Sequence, residues 1–185
     1  MSTETATLPQ TGTWTVDAGH SSVEFVVRHV MVAKTKGRFE TFGGEIHIEE
    51  DPLKSWVVAD VDMGSVNSND AKRDEHLRSA DFFSTDQHPK MSFRSTSLTD
   101  KGGSEYELAG DLTIKGMAKP VVFALEFNGA ASDPWGGQRS GFTATTEINR
   151  KDWGLDFNVP LDGGGLLVGD KVKVTLEIEA VKQQA

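Results

Sequence analysis

The feature of this sequence that most constrains its fold is a strict alternation of apolar and polar residues. The clearest case is residues 171–180, where Val172, Val174, Leu176 and Ile178 alternate with charged or hydroxyl-bearing residues. Successive side chains of a β-strand point to opposite faces, so this spacing predicts a strand with one apolar face and one solvent-facing face. A single solvent-facing side is typical of antiparallel sheets.

Similar alternation recurs along most of the chain. The other segments that it predicts as strands are 23–29, 36–48, 56–66, 91–95, 105–114, 121–128 and 142–148, with a bend in the second of them at Gly43-Gly44. Several exceed the usual strand length of about 5–6 residues, and long antiparallel strands leave long exposed edges unless the sheet closes on itself. The sequence therefore predicts an all-β fold, an up-and-down antiparallel barrel of about eight strands.

The alternation stops in residues 68–83, which read S-N-D-A-K-R-D-E-H-L-R-S-A-D-F-F. This segment predicts one short helix at the side of the barrel. Ser68 or Asn69 is placed to cap it, and Asp70 and Asp74 lie early enough to favour the positive end of the helix dipole.

Composition excludes several classes of function. The chain has 185 residues, which suits one domain, a formal charge of −9 and no cysteine. An acidic chain without a basic cluster in its sequence argues against nucleic acid and against electrostatic docking on an anionic membrane. Because residues 1–12 are polar, we expect them to form a flexible tail, and we expect a cytoplasmic location and no membrane insertion. We expect residues 13–182 to form a single domain.

The titratable residues predict neither catalysis nor a metal or other cofactor. None of the five histidines has the close spacing of a metal motif. Asp17, His20 and Ser21 have the residue types of a catalytic triad, but neighbours in one tight turn are better suited to capping backbone groups. The ten phenylalanines suit either a solid core or an apolar pocket, and composition alone favours the solid core.

Several ordered blocks of the sequence resemble the YceI-like family of lipocalin-like, polyisoprenoid-binding proteins. The blocks run from Trp14-x-Val16-Asp17 through His20-Ser21-x-Val23-x-Phe25-x-Val27-x-His29, Gly37-Arg38-Phe39 with Phe42-Gly43-Gly44, residues 73–83 with Pro89-Lys90-Met91-x-Phe93, Gly110-x-Leu112-Thr113-Ile114-x-Gly116 with Pro120-Val121, and Asn149-Arg150-x-Asp152-Trp153-Gly154-Leu155, to Val168-Gly169-Asp170-x-Val172. Trp153 stands where phenylalanine is the more usual residue of the family. The resemblance covers residues 13–181.

The resemblance implies an extended, lipocalin-like eight-stranded barrel with the helix packed near one end and a long apolar tunnel inside. It implies a ligand such as an isoprenoid or another long-chain lipid, a carrier or storage role without enzymatic activity, and a homodimer. It also raises the pocket interpretation above the solid core. The residues that we expect to line the tunnel are Phe25, Val27, His29, Phe39, Val61, Met63, Met91, Phe93, Leu112, Phe123, Phe142 and Leu176.

Two alternatives remain open from the sequence. The protein could be an enzyme on a hydrophobic small molecule, with His29, His76 or Asp74 as acid–base groups, or an interaction module whose barrel is filled by its own side chains. In the carrier interpretation, His29, with His20 or Arg94 as further candidates, would meet a polar head group or satisfy an interior polar group.

Overall fold

A computed structural model describes residues 9–184 of the chain. Its strands are β1 (Gly12–Val16), β2 (Ser22–His29), β3 (Ala33–Phe39), β4 (Phe42–Ile48), β5 (Trp56–Asp62), β6 (Val66–Asn67), β7 (Lys90–Gly102), β8 (Glu105–Ile114), β9 (Met117–Ser132), β10 (Gln138–Asn149) and β11 (Val168–Lys182). The one α-helix of this part of the chain is α1 (Ala71–Arg78), and it is too short to cross a membrane, as is every helix described. The predicted tail lies mostly outside the described residues, although Gly12 begins β1.

Eight strands form a closed antiparallel barrel in the order β1, β4, β5, β7, β8, β9, β10 and β11, which pairs back with β1. The strands β2, β3 and β6 continue the same wall toward its other end: β11 pairs with β1 through residues 180–182 and with β2 through residues 168–177, β2 pairs with β3, and β3 pairs with β6. The all-β, eight-stranded antiparallel barrel with one helix is therefore confirmed. Closure gives each of these eight strands a paired neighbour on both sides, which is what long amphipathic strands require.

The predicted strand over residues 36–48 is two strands, and the position of its break was wrong. The break lies at Glu40-Thr41, between β3 and β4, rather than at Gly43-Gly44. The Thr41 N–H donates to Ser65 Oγ at 3.0 Å and the Glu40 N–H donates to the Ser65 carbonyl at 3.2 Å, so these two backbone groups leave the ladder. Ladder hydrogen bonds cannot continue where the backbone donors are used elsewhere.

The predicted strand over residues 56–66 is interrupted in the same way. A 3₁₀ turn over Met63–Ser65 separates β5 from β6, and the Asp62 carboxylate caps it by accepting the Gly64 N–H at 3.0 Å. Ser65, the last residue of this turn, also accepts the Thr41 N–H at the break between β3 and β4. The two interruptions therefore lie side by side and bend the wall together.

The helix α1 is capped by Asp70, and the predicted cap at Ser68 or Asn69 was wrong. The Asp70 carboxylate accepts the N–H groups of Lys72 and Arg73 at 3.0 and 3.1 Å. Asn69 has a positive φ of 63°, which turns the chain into the cap. The hydroxyl of Ser68 is engaged elsewhere, with Asp74, as described below.

The helix and the segment 150–168 lie at the same end of the barrel, which we call the helix end. The opposite end, where β1 and β5 begin, is called the far end. Trp153 is almost fully buried at the helix end, and its indole N–H donates to the Leu112 carbonyl at 2.9 Å. Between the two ends, the inward-facing apolar rows of the strands face one another across the barrel interior.

Candidate ligand-binding cavity

The barrel encloses a cavity of about 290 Å³ with almost entirely apolar walls. It is lined by residues from every described strand except β6. One water molecule occupies about 30 Å³ in the liquid, so this space is larger than a few waters. The barrel is therefore not filled by its own side chains, which argues against the filled-barrel alternative.

The cavity follows the barrel axis from one end to the other. At the helix end its walls include Leu77, Phe83 and Leu155, and at the far end they include Ile48 and Trp56. A space that reaches both ends is elongated in the direction of the strands. Its shape therefore suits a slender molecule better than a compact one.

All the residues predicted to line the tunnel, except His29 and Met63, line this cavity: Phe25, Val27, Phe39, Val61, Met91, Phe93, Leu112, Phe123, Phe142 and Leu176. The period-two rows correctly separated inward from outward positions along the middle of each strand. Contact of these side chains with a ligand stays a prediction.

His29 and Met63 lie away from the cavity walls. His29 is the last residue of β2 and is exposed, because the barrel wall ends at this residue although the alternation continues through it. Met63 is buried, but it lies on the 3₁₀ turn after β5, which takes it out of the inward row. Arg94 and His20, the other candidates for a polar contact, are exposed on the outer surface.

Two phenylalanine rings are held against the wall by glycines on the neighbouring strands. Phe25 lies over Gly37, where a Cβ would come within 2.3 Å of the ring, and Phe93 lies over Gly110, where a Cβ would come within 2.4 Å. Only a residue without a side chain allows this approach. The two glycines therefore keep both rings flat against the wall and leave the cavity open.

Arg150 is a buried, charged residue of the cavity that is absent from the predicted lining. Its side chain is 4% exposed and lines the helix end of the cavity. Its Nε donates to the Gly169 carbonyl at 2.9 Å, and its Nη1 and Nη2 donate to the carbonyls of Leu155 and Val168. Burial lowers the pKa of Arg150, and Asp170, whose Oδ1 lies 3.9 Å from Nη2, opposes that shift.

The sequence contains a weak signal for this role. Arg150 follows the inward row of β10 and stands in the block Asn149-Arg150-x-Asp152-Trp153. Burial of a cation depends on the chain that folds over it, here the segment 155–169, and that segment shows no clear periodicity. Arg150 is thus a buried, positively charged residue at the helix end of an almost entirely apolar wall.

Comparison with known proteins identifies the family. The sequence profile of the YceI-like domain matches residues 14–180. The chain belongs to the YceI-like family. It is 46% identical over 137 residues to a UPF0312 protein of Vibrio cholerae serotype O1, covering 74% of this chain and 72% of the relative. It is 39% identical over 172 residues to a UPF0312 protein of Staphylococcus aureus, covering 90% and 95%.

Solved structures share the YceI-like fold. Burkholderia cenocepacia BcnA superposes with a TM-score of 0.74 at 22% identity, over 89% of this chain and 98% of that one. A polyisoprenoid binding domain from Saccharophagus degradans superposes with a TM-score of 0.70 at 15% identity, over 92% and 98%. At these sequence identities the similarity shows a shared fold and nothing about the ligand or role.

In this YceI-like barrel, Asp17, His20 and Ser21 form the predicted turn, in which Asp17 accepts the Gly19 N–H at 3.1 Å. Arg139 Nη1 donates to the carboxylates of Asp17 and Glu179, each at 3.0 Å. The hydrogen bond from His20, and then those from Arg139, hold the pKa of Asp17 below its usual value. One side-chain atom each of Asp17, His20 and Glu179, of the kind that can bind a metal ion, lies within 4.8 Å of the other two. The guanidinium of Arg139 already supplies a positive charge at this place.

Asp74 and His76, the acid–base candidates of the enzymatic alternative, make contacts that hold the helix. The buried Asp74 accepts the Ser68 N–H at 2.8 Å and the Ser68 hydroxyl at 2.6 Å. His76 is within 2.9 Å of the Asp81 carboxylate and lies edge-on to the rings of Phe82 and Phe157. Neither Asp74 nor His76 lines the cavity.

Proposed function

We propose that this protein binds one long-chain apolar ligand, a polyisoprenoid or similar lipid, in the barrel cavity and acts as a carrier or storage protein. The observation that carries the proposal is the elongated apolar cavity along the barrel axis. Burial of apolar surface contributes about 25 cal/mol per Å², so a long hydrocarbon gains affinity in proportion to the length enclosed. Walls without directional polar groups give little selectivity among tails.

The isoprenoid class is supported by a structural neighbour. The domain from Saccharophagus degradans, which has the same fold, is named for polyisoprenoid binding. Family membership and the apolar cavity make the same ligand class our proposal for this chain.

The buried guanidinium of Arg150 orients the ligand in this proposal. Arginine has five N–H donors, and three of those of Arg150 bond to backbone carbonyls, which leaves two for another acceptor. A carboxylate, phosphate or carbonyl head group would meet them at the helix end, with its tail toward the far end. An unbranched hydrocarbon without a head group would bind more weakly than a lipid that carries one, because it offers no acceptor to the two remaining N–H donors of Arg150.

A single substitution inside the cavity tests the proposal. Ala144 lines the cavity on β10, and Thr145 is the next residue of the same strand, on the opposite face. We expect Ala144→Phe to fill part of the cavity and lower ligand uptake at least tenfold, whereas Thr145→Phe retains uptake. Mass spectrometry after denaturing extraction measures the bound lipid, and the melting temperature with added polyprenyl or fatty chains measures binding, since a ligand of the native state raises it.

Two results would overturn the proposal that a lipid binds inside the barrel. A wild-type protein that carries no extractable lipid, and whose melting temperature is unchanged by polyprenyl alcohols, polyprenyl phosphates and fatty acids, is not a lipid carrier. Equal uptake by the Ala144→Phe variant would place the bound lipid outside the barrel.

We also propose that the protein is a homodimer, which light scattering coupled to gel filtration measures.

A further inference from the structure

The fold gathers four cations on the outer surface at the helix end. Arg28 on β2 lies directly opposite Lys34 on β3, and Lys36 on β3 and Lys173 on β11 lie on either side of Val26. All four side chains are exposed. We call Arg28, Lys34, Lys36 and Lys173 the basic patch. Three of these cations lie within residues 28–36 of one hairpin, and the register of β2 with β11 adds Lys173 from a distant segment.

The four cations of the basic patch make no ion pairs with the described residues. Among residues 9–184, no carboxylate lies within 4.0 Å of any of its four cations, whereas the flanking Arg38 and Lys171 pair with Glu40 and Glu147. Two acids lie close by register: Glu24 lies opposite Arg38, and Glu147 on β10 lies directly opposite Lys173 but pairs with Lys171. Like charges directly opposite each other destabilise a sheet, so the stability of the fold does not account for this arrangement.

The turn next to the basic patch is exposed and apolar. Val32 is 88% exposed and Met31 is 50% exposed. The central residues of the turn, Val30 and Met31, have φ values of 54° and 63°, a conformation that favours asparagine and glycine. The comparable turn between β8 and β9 uses Lys115-Gly116. Apolar side chains are thus kept at a position where they bring strain and exposure.

The apolar turn is fixed beside the end of the cavity. The Val30 N–H donates to the Leu167 carbonyl at 2.8 Å, and the next residue, Val168, lines the cavity. Met31 packs beside Gly165, where a Cβ would come within 3.3 Å of Met31 Cγ. Cations, an apolar turn and the helix end of the cavity therefore lie together.

We propose that the hairpin of β2 and β3 docks this protein on an anionic phospholipid bilayer. The basic patch contacts the anionic head groups, and Met31 and Val32 enter the interfacial layer. Cations close to an anionic leaflet each contribute to attraction over about a Debye length, and exposed apolar side chains gain by leaving water. A nucleic acid would match the charge but would leave the apolar turn in water, so the bilayer fits both features.

Vesicle sedimentation with the full chain tests the proposal. We expect the protein to bind vesicles of phosphatidylcholine mixed with phosphatidylglycerol, to bind pure phosphatidylcholine weakly, and to dissociate as salt is added. Each cation near the surface is worth about fivefold in affinity, so Lys34→Gln with Lys36→Gln should weaken binding roughly 25-fold. Val32→Ser should weaken binding to the mixed vesicles without changing its dependence on salt.

Matched variants at the far end serve as controls. Trp135 is 84% exposed in the turn between β9 and β10, so Trp135→Ser removes an equally exposed apolar residue. Lys54→Gln with Lys101→Gln removes two exposed charges there. Neither control should alter vesicle binding. Failure of the wild type to bind anionic vesicles, equal loss in the controls, or binding to RNA without binding to vesicles would each overturn the proposal.

Docking is independent of ligand uptake in this test. Ala144→Phe alters the interior of the barrel and leaves the outer hairpin unchanged, so it should bind anionic vesicles as the wild type does. Loss of lipid uptake and loss of docking are therefore distinguishable outcomes.

Discussion

At the scale of single residues, the cavity depends on where side chains are missing as much as on where they are present. Gly37 and Gly110 allow the rings of Phe25 and Phe93 to lie against the barrel wall. Phe25 also packs on Phe39, with ring centroids 5.5 Å apart, and Phe93 meets Phe123 edge to face at 5.3 Å. A methyl group at either glycine would displace a ring that has neighbours on its other side.

Gly37→Ala is therefore expected to destabilise the protein by about 1–3 kcal/mol, because an added methyl group in a packed site forces side chains from their rotamers. It should also reduce ligand uptake, since the displaced Phe25 ring enters the cavity. Gly43→Ala is the control, because a Cβ at Gly43 has no atom within 4 Å. Denaturant unfolding measures the free energy of unfolding of both variants. Equal values for Gly37→Ala and Gly43→Ala would contradict the packing argument.

At the scale of elements, the turn between β2 and β3 breaks the local rules that the rest of the hairpin follows. The strands pair in regular register from Val23 with Phe39 to His29 with Ala33. The turn that joins them places valine and methionine at positive φ. Natural sequences accept such conflicts chiefly at functional sites, which agrees with the docking role proposed for this hairpin.

Replacing the two central residues by the preferred pair, Val30→Asn with Met31→Gly, should raise the free energy of unfolding by about 1–2 kcal/mol. The same variant should bind anionic vesicles less well, because it lacks the methionine side chain. Val32→Ser changes an exposed residue beside the strained positions and should alter stability by less than about 0.5 kcal/mol. Chemical denaturation measures the effect, and a less stable double variant would show that the turn carries no strain.

At the scale of the whole molecule, Arg139 ties together the strands on either side of the closure of the barrel. It bonds to Asp17 between β1 and β2, to Asp133 before β10 and to Glu179 on β11. Hydrogen bonds from His20 and Arg139 lower the pKa of Asp17, and those from the Gly137 N–H, the Trp135 N–H and Arg139 lower the pKa of Asp133.

A carboxylate with a lowered pKa in the folded state adds stability above its unfolded pKa, about 3.9, and that contribution is lost as the pH falls through the folded value. Arg139→Gln should therefore lower the melting temperature at pH 7, and its difference from the wild type should shrink below about pH 4. Arg94→Gln, at an exposed arginine without an ion pair in the described part of the chain, is the control. A difference that does not vary with pH would contradict the charge argument.

Much of the fold and part of the site could be predicted from the sequence. Rows such as Val172, Val174 and Leu176 point inward because alternation is a local property of a strand, set by backbone geometry. The interruptions at Glu40-Thr41 and Met63–Ser65 could not be placed, because they depend on a contact through Ser65 between segments distant in the chain.

By itself, the sequence determined the antiparallel barrel, the inward rows and membership of the YceI-like family. The tertiary structure alone decided that the barrel encloses a cavity, because free volume depends on how all the strands close. It decided that His29 lies beyond the wall and that Arg150 lies within it, because a side chain's burial depends on what covers it. It also brought Lys173 beside Arg28, Lys34 and Lys36, because the register of β2 with β11 joins segments that are far apart in the chain.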